Sequence, residues 1–241
     1  FGYLDAMAEM AEEYPDVIFL HCSGYLKNDT NFGNYFGKMY QPRYLSGLAA
    51  GAMTESNKIG YVAAFPIPEV IRGINAFATG VKEVNPDATV EVVWTFTWFG
   101  PEAETQAANA LLETGVDVLA QHQDSPSTGI AAEAAGAKWI SYNTAYGQDA
   151  APGAFVTAPV WDWGPYYVQV VESIVNDEFV AEAYWGGMET GLVSLYELSS
   201  DVPADTATLI SERTEEIISG SFDPPIVEDE FIDNVIGTVN P

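Results

Sequence analysis

The chain has 241 residues, of which 48% are hydrophobic, so it can fold around a substantial core and is not a disordered chain. It carries 8 lysines and arginines against 35 aspartates and glutamates, which gives a formal net charge of −27. A field of that sign repels nucleic acid and anionic lipid, so neither is an expected partner. The acidic residues are spread along the whole chain, which indicates adaptation to high salt or, alternatively, an acidic extracellular protein.

Cysteine usage and hydrophobic run lengths add two further expectations. Cys22 is the one cysteine and lies in the strand-like stretch VIFLHCSG, which predicts a packed, inert thiol and a buried His21 beside it. No stretch approaches the roughly 20 apolar residues that cross a bilayer. The chain opens abruptly on FGYLDAMAEMAEEYPDV, a pattern typical of the middle of an α/β unit, so we expect an N-terminal portion upstream.

Hydrophobic periodicity predicts alternating helices and strands up to Tyr142. The predicted helices are Leu4–Glu13, a small-residue helix around Tyr44–Thr54, Glu69–Glu83, Pro101–Thr114 and Gly129–Ala135. The predicted strands are Val17–Cys22, followed by the polar loop GYLKNDTNFGNYFGKMY, then Ile59–Ala64, Val90–Thr95, Val116–Gln121 and Lys138–Tyr142. Consecutive strand–helix units with nearly continuous apolar strands indicate an α/β fold, in which helices cover both faces of a parallel sheet.

The pattern changes after Tyr142. A loop rich in glycine, alanine and proline leads to Phe155–Val160 and then to an aromatic helix start, WDWGPYYVQVVESIV. The segment YWGGMETGLVSLYELS predicts a hairpin or a pair of short strands, with Gly191 near the turn. A final helix near Ala204–Ser219 precedes an acidic tail.

Ligands of open α/β sheets bind at the carboxyl ends of the strands, and here those ends carry a consistent set of side chains. Two aromatic rings, an imidazole, two amides, a carboxylate and a hydroxyl follow successive strands: Trp98, Phe99, His122, Gln123, Asn143, Asp124 and Ser125. Such a set can hold a flat, polar ring by stacking on its faces and hydrogen bonding around its edge.

Each of these residues also has a purely structural interpretation. Trp98 and Phe99 can be rim packing, and His122 can be a hydrogen-bonded histidine at a strand end. The run Asp124–Ser127 can cap a helix, and Asn143 can form a turn. All of them fall on one edge of one predicted sheet, and this common position favours the binding interpretation.

Catalytic motifs are not found in the sequence. It has no Gly-x-Ser-x-Gly elbow, no phosphate-binding glycine loop, no dinucleotide fingerprint and no paired ligands with zinc spacing. His122 is the one available imidazole base, because His21 lies inside a predicted strand. The sequence therefore favours binding over catalysis, with no cofactor and no metal.

The stretch GYVAAFPIPEVIRGINAFATGVKEVNPDATVEVVWTFTWFGPEAE, with GVDVLAQHQDSPSTGIAAEAAG, VWDWGPYY and YWGGMETGLV after it, resembles the basic membrane protein (BMP) family. These are purine- and nucleoside-binding lipoproteins that serve ATP-binding-cassette (ABC) importers. The resemblance runs from Phe1 to about Gly220. The motifs PIPEV, WF-x-P and QH-x-DS are similar to a branch for which adenine or a related purine is the implied ligand.

The resemblance implies a two-lobed periplasmic-binding-protein type I fold, with parallel sheets flanked by helices. Residues 1–56 and 158–180 would form an N-terminal lobe, whose first part, together with a lipid-anchoring cysteine, would lie upstream of Phe1. Residues 57–157 and 181–241 would form the C-terminal lobe.

The ligand-binding residues that the resemblance implies are Trp98, Phe99, His122, Gln123, Asp124, Asn143, Tyr3 and Trp161. Trp98 or Phe99 would stack on the purine, while the run His122–Asp124 would reach its polar edge. Asn143 stands where the family usually presents an aspartate to a ribose, and this departure favours a free base. Tyr3 would line the cleft from the first lobe; Trp161 and Trp163 would shape it or simply pack.

We therefore expect an extracytoplasmic solute-binding protein that holds a purine base or nucleoside between two lobes and delivers it to an ABC transporter permease. Its contact with the membrane would be a lipid anchor only. Two alternatives are the ligand-sensing domain of a transcription regulator, which shares the two-lobed fold, and a nucleoside hydrolase that uses Asp124 and His122.

Overall fold

Parallel strands and flanking helices make up the protein in a computed structural model that describes residues 2–239. The α-helices are α1 (Leu4–Glu13), α2 (Tyr40–Met53), α3 (Pro68–Val84), α4 (Pro101–Glu113), α5 (Ser127–Ala135), α6 (Gly164–Val175) and α7 (Ala204–Ser219). The strands are β1 (Phe19–Cys22), β2 (Phe32–Gly37), β3 (Lys58–Ala63), β4 (Thr89–Trp94), β5 (Val118–Gln121), β6 (Lys138–Ile140), β7 (Phe155–Thr157), β8 (Pro159–Trp161), β9 (Ala183–Gly186), β10 (Val193–Leu195) and β11 (Val235–Ile236).

The chain divides into two units. The first holds the described residues up to Lys38 together with Asp162–Val193. The second holds Met39–Trp161 and the described residues from Ser194 onward. The lobe boundaries implied by the family resemblance remain predictions, and residues 1, 240 and 241 of those lobes lie outside the described residues.

The first unit is built on a parallel sheet in the order β1–β2–β9. Its central strand, β2, lies in the stretch predicted as a polar loop, so that prediction is wrong. Glycine and asparagine are poor strand formers, which hides β2 in the sequence. A Cβ at Gly33 would lie 2.8 Å from the carbonyl oxygen of Glu182, so glycine allows the chain before β9 to approach β2 closely.

Cys22 ends β1 and is exposed, so the prediction of a packed thiol is wrong. Successive side chains of a strand point to opposite faces, and in β1 His21 occupies the buried face. His21 is 5% exposed, which confirms its predicted burial.

The second unit is built on a six-stranded parallel sheet in the order β11–β4–β3–β5–β6–β7. Val90, Ile59, Val118 and Leu119 are buried along its central strands. Burial on both faces explains why these strands read as continuous apolar runs. The carboxyl ends of β4, β3, β5 and β6 lie at one edge of this sheet, as the sequence predicts.

Helices α2 and α3 contact each other through their backbones. A Cβ at Gly47 would lie 2.0 Å from the carbonyl oxygen of Phe77, and a Cβ at Gly80 would lie 2.1 Å from that of Tyr44. Any larger residue at either position must push the helices apart. Helix α2 begins at Tyr40 rather than at the predicted Tyr44.

The segment around Gly191 does not form a hairpin, because β9 pairs with β2 and β10 pairs with β8. The predicted alternative, a pair of short strands, is confirmed. Gly191 has φ +75° and ends a short 3-10 helix between them, a conformation that glycine adopts without strain. Within residues 2–239, no helix is both long and apolar enough to cross a membrane.

Candidate functional site

Backbone hydrogen bonds join the loop after β4 to the loop after β5 and to the end of β3, at the edge of the six-stranded sheet. The N–H of Asp124 donates to the carbonyl oxygen of Trp98 over 2.8 Å. The N–H of Phe96 donates to the carbonyl oxygen of Ala64 over 2.9 Å, which continues the β4–β3 pairing past the end of β4. Phe96 has φ +54°, and this left-handed residue turns the chain out of the strand.

The two aromatic residues of the β4 loop differ in exposure. Trp98 is half-buried and packs against Phe65, with ring centroids 5.6 Å apart. Phe99 is 65% exposed. Both rings therefore lie at the edge where a planar ligand could stack, but Phe99 offers the more accessible one.

The side chain of Gln123 is held in one orientation by Thr95. The hydroxyl of Thr95 donates to the carbonyl oxygens of Ala63 and Thr97, both at 3.2 Å. Its oxygen must therefore accept the 2.7 Å hydrogen bond from Nε2 of Gln123. This fixes the amide, so Oε1 of Gln123 is a buried acceptor with no partner within residues 2–239.

Gln123 and Asp124 line a cavity of about 170 Å³ together with Ser141, Thr144 and Tyr146. Asp124 is exposed, yet partial desolvation of its carboxylate raises its pKa above the ordinary value. An ionised carboxylate only accepts hydrogen bonds, as does the free oxygen of Gln123. This end of the site is therefore suited to a ligand group that donates.

Glu104 connects the two loops from below. Its side chain is fully buried; Oε1 accepts the N–H of Gly100 at 2.9 Å, and Oε2 accepts the hydroxyl of Ser125. Burial raises the pKa of Glu104, although both hydrogen bonds oppose the shift. The Ser125 hydroxyl oxygen also accepts the N–H of Ser127, the first residue of α5, at 3.3 Å. The side chain that hydrogen-bonds this N–H is therefore Ser125 and not Asp124.

His122 lies beneath the edge and is 0% exposed. Arg43 Nη1 donates to the hydroxyl oxygen of Tyr61 at 3.1 Å, and the same hydroxyl is hydrogen-bonded to Nδ1 of His122, 2.7 Å away. Burial, together with the charges of Arg43 and Arg72, lowers the pKa of His122 well below its ordinary value. His122 is therefore a neutral imidazole.

Asn143 lies three residues after the end of β6 and also has a positive φ, +58°. Its Oδ1 accepts a long hydrogen bond of 3.4 Å from Nη2 of Arg43, whose guanidinium lies 5.0 Å from the ring centroid of Tyr142. Asn143 and Trp161 line a second cavity of about 430 Å³, with Tyr146 and Tyr196. The two cavities share Thr144 and Tyr146.

The structure thus brings most of the predicted residues to one sheet edge. Gln123 and Asp124 line the smaller cavity, and Asn143 and Trp161 line the larger one. Trp98 and Phe99 lie on the neighbouring loop, and His122 is underneath. Tyr3 belongs to the first unit and is 71% exposed. Residues 2–239 contain no cluster of three or more side chains suited to a metal ion.

Several contributing residues escape sequence reasoning. Tyr61 and Glu104 lie inside a predicted strand and a predicted helix, where a polar residue attracts little attention, and Arg43 falls just before the helix predicted around Tyr44–Thr54. One signal was available: Arg43 is one of only three arginines in the chain and lies in the small-residue helix α2. A rare cation inside an otherwise apolar helix must find buried partners, because an unpaired buried charge is costly.

Comparison with known proteins gives consistent matches. The Bmp family, described as PnrA-like ABC transporter substrate-binding proteins, matches residues 1–223. A Haloferax volcanii protein named as ABC transporter glucose-binding protein TsgA13 is 45% identical over 92% of this chain and 56% of its own length. A purine-binding protein of Brucella abortus is 37% identical over 93% of this chain and 63% of its own length. The chain thus spans less than two thirds of either relative.

Solved structures share the fold at low identity. An ABC transporter solute-binding protein from Aeropyrum pernix superposes with a TM-score of 0.81 at 17% identity, over 94% of this chain and 76% of that one. A transcriptional activator from Bacillus halodurans gives 0.83 at 24% identity, over 92% and 77%. These likenesses confirm the predicted α/β class and periplasmic-binding-protein type I fold.

Proposed function

The chain belongs to the Bmp family of PnrA-like ABC transporter substrate-binding proteins, as its sequence resemblance predicts, and from this premise we propose that it binds a purine, with an adenine-like base favoured. The family consists of solute-binding proteins and not of enzymes, so the nucleoside hydrolase alternative is excluded. We further propose that the protein works outside the cytoplasm and delivers its ligand to an ABC transporter permease. Attachment through a lipid anchor stays a prediction.

The observation that carries the purine proposal is the acceptor pair at the smaller cavity. Gln123 Oε1 is buried without a partner, and the carboxylate of Asp124 lies beside it in the chain. Leaving a buried acceptor unpaired costs free energy, which a donating ligand group would recover. An exocyclic amino group, as on adenine, offers two donor hydrogens from one atom and so fits two acceptors.

The exposed ring of Phe99 and the volumes of the two cavities support the same ligand class. Phe99 provides an exposed aromatic face on the neighbouring loop, and stacking of a planar base on such a ring is favourable. The smaller cavity, about 170 Å³, lies below the range of about 300–1,000 Å³ usual for a whole ligand, whereas the larger cavity of about 430 Å³ lies within it. The smaller one would then receive one polar end of the ligand.

A sugar is the second candidate, because one relative is named as a glucose-binding protein. Sugars also stack on aromatic rings and donate hydroxyl groups to carboxylates. Asp124 and Phe99 would serve either ligand, whereas a single buried acceptor with fixed geometry, as on Gln123, favours the planar amine.

Isothermal titration calorimetry of the full-length protein in high salt decides between them. The ligands are adenine, guanine, adenosine, guanosine, riboflavin and glucose. We expect adenine to bind with about micromolar affinity or tighter and to exceed adenosine and guanine. Binding of glucose without any purine would overturn the purine proposal, and binding of guanine over adenine would overturn the role given to the acceptor pair.

A further inference from the structure

Arg43 is the least expected member of the candidate site. It is 3% exposed, and its guanidinium lies beneath the end of β6, between Tyr61 and Asn143. A guanidinium stays protonated in proteins and offers only donors. Whatever it touches must therefore turn an acceptor atom toward it.

This constraint decides which way the amide of Asn143 points. An asparagine side chain has one acceptor oxygen and one donor nitrogen, and either can face a given neighbour. Nη2 of Arg43 lies 3.4 Å from the atom assigned as Oδ1. The opposite orientation would set two donors against each other, so Oδ1 faces Arg43, and the two N–H groups of Nδ2 remain for the cavity that Asn143 lines.

Arg43 is itself held in place by several contacts. Its Nη1 donates to Tyr61, and its charge lies over the ring of Tyr142 at 5.0 Å, within the usual range for a cation–π contact. A Cβ at Gly73 would lie 2.9 Å from Cδ of Arg43, so the absence of a side chain on α3 makes room for the guanidinium stem. Arg43 cannot turn away from Asn143 without losing these contacts.

We infer that Arg43 is a specificity-determining positioning residue: by occupying Oδ1 of Asn143, it makes position 143 a hydrogen-bond donor toward the ligand. The ligand must then carry an acceptor there, such as a ring nitrogen or a carbonyl oxygen. This inference rests on the proposed function, since it concerns the same site. With Asn143 as a donor and Gln123 and Asp124 as acceptors, the site presents a donor at one position and acceptors at another.

Purine analogues that lack one ring nitrogen test the inference directly. The panel is adenine with its 1-deaza, 3-deaza and 7-deaza analogues, in each of which a C–H replaces one acceptor nitrogen. We expect wild-type protein to bind one of the three about tenfold or more weakly than adenine, because Nδ2 of Asn143 loses its acceptor. Equal binding of all four compounds would overturn the inference.

Two variants connect that discrimination to Arg43. In Arg43→Met the amide of Asn143 is free to turn away from a C–H group, so the affinity ratio of adenine to the weak analogue should fall well below its wild-type value. In Asn143→Asp the carboxylate accepts from Arg43 and offers the ligand acceptors only, so adenine affinity should fall about tenfold or more and the discrimination should vanish. Circular dichroism tests whether each variant is folded. If Arg43→Met is unfolded, the result for Asn143→Asp decides.

Arg213→Met is the matched control. Arg213 lies in α7 and donates to Glu83 and Glu216, away from both cavities, so its loss should lower stability while the discrimination between analogues persists. Discrimination that survives Asn143→Asp, or that disappears equally in Arg213→Met, would overturn the role of Arg43. If wild-type protein binds no purine at all, the proposed function itself fails, and that outcome is distinct from a purine bound without discrimination.

Discussion

The main-chain N–H of Asp124 donates to the carbonyl oxygen of Trp98 across 2.8 Å, so two loops that follow different strands form one hydrogen-bonded surface. The buried carboxylate of Glu104 joins the same two loops through Gly100 and Ser125. A ligand that contacts Phe99 and Asp124 would therefore meet groups whose spacing is set by the protein before binding. Preorganisation of this kind reduces the ordering cost of binding.

Phe99 is the ring expected to stack on the ligand. Phe99→Ala should weaken binding by about 1–3 kcal/mol and leave the melting temperature nearly unchanged, because the ring is 65% exposed. Phe99→Tyr keeps the ring and should bind like wild type. Trp98→Ala should instead lower the melting temperature, since Trp98 packs against Phe65. Calorimetry and thermal melts separate the two effects; if neither alanine variant alters affinity, the stacking assignment is wrong.

Asp124 should make binding depend on pH. Desolvation raises its pKa above the ordinary 3.8, and a protonated carboxyl presents an O–H donor to a ligand group that also donates. Ligand affinity should therefore decrease as the pH drops through the raised pKa of Asp124. Above that pKa the affinity should reach its full value. Asp124→Asn should bind weakly at every pH, with an unchanged melting temperature. An Asp124→Asn protein that melts early but binds normally would point to a role in helix capping instead.

The contribution of the buried Glu104 carboxyl to stability should decrease as the pH rises. Its pKa is raised above the ordinary 4.5 by burial, so it contributes stability below that value and loses it as the pH rises through the folded-state pKa. Unfolding in denaturant should show the free energy of unfolding of Glu104→Gln gaining on that of wild type as the pH rises above the ordinary pKa of 4.5. Glu102→Gln, at an exposed carboxylate in the same helical turn, is the control. The difference in free energy of unfolding between this variant and wild type should not change with pH. If the difference in free energy of unfolding between Glu104→Gln and wild type stays the same at every pH, burial does not raise the pKa of Glu104.

Asp117 stabilises the opposite edge of the sheet, just before β5. Its carboxylate accepts the hydroxyl of Thr54 at 2.6 Å and the N–H groups of Glu55 and Ser56 at 2.8 and 2.7 Å. Asp117→Ala should lower the free energy of unfolding by about 2 kcal/mol at neutral pH and leave ligand affinity unaltered. Asp87→Ala, an exposed aspartate near the same edge, should cost far less. Equal losses would show that these hydrogen bonds contribute little.

The excess of acidic residues should make stability depend on salt. With 35 acidic and 8 basic residues, self-repulsion is strong at low ionic strength and is screened as salt is added. We propose adaptation to high salt, in which case the melting temperature rises from low to multimolar KCl. A melting temperature that does not change across that range would end this proposal.

Much of the fold follows from the sequence because apolar periodicity reports burial directly. Helices α1 and α7 begin and end at the predicted residues, and the parallel sheet of the second unit appears as expected. Strand β2 was beyond such reasoning, since its glycines and asparagine are poor strand formers, and Gly33 is required by the close approach of Glu182 rather than favoured by strand propensity.

The candidate site was predictable in position but not in internal arrangement. The rule that ligands bind at carboxyl ends of parallel strands locates Asp124, Phe99 and Asn143 together. It says nothing about what lies beneath them, because Arg43 and Glu104 reach the site from helices. Hydrogen-bond polarity depends on such contacts between distant residues, and no local pattern records them.

The backbone contact between α2 and α3 at Gly47 and Gly80 leaves no side chains between the helices that could adjust to a mutation. An added carbon there would displace a whole helix, and Arg43, one turn before Gly47, would move with it. Natural variation in ligand preference could therefore arise at positions that never approach a ligand. Directed evolution confined to cavity-lining codons would miss them, and libraries for changing selectivity should include both glycines.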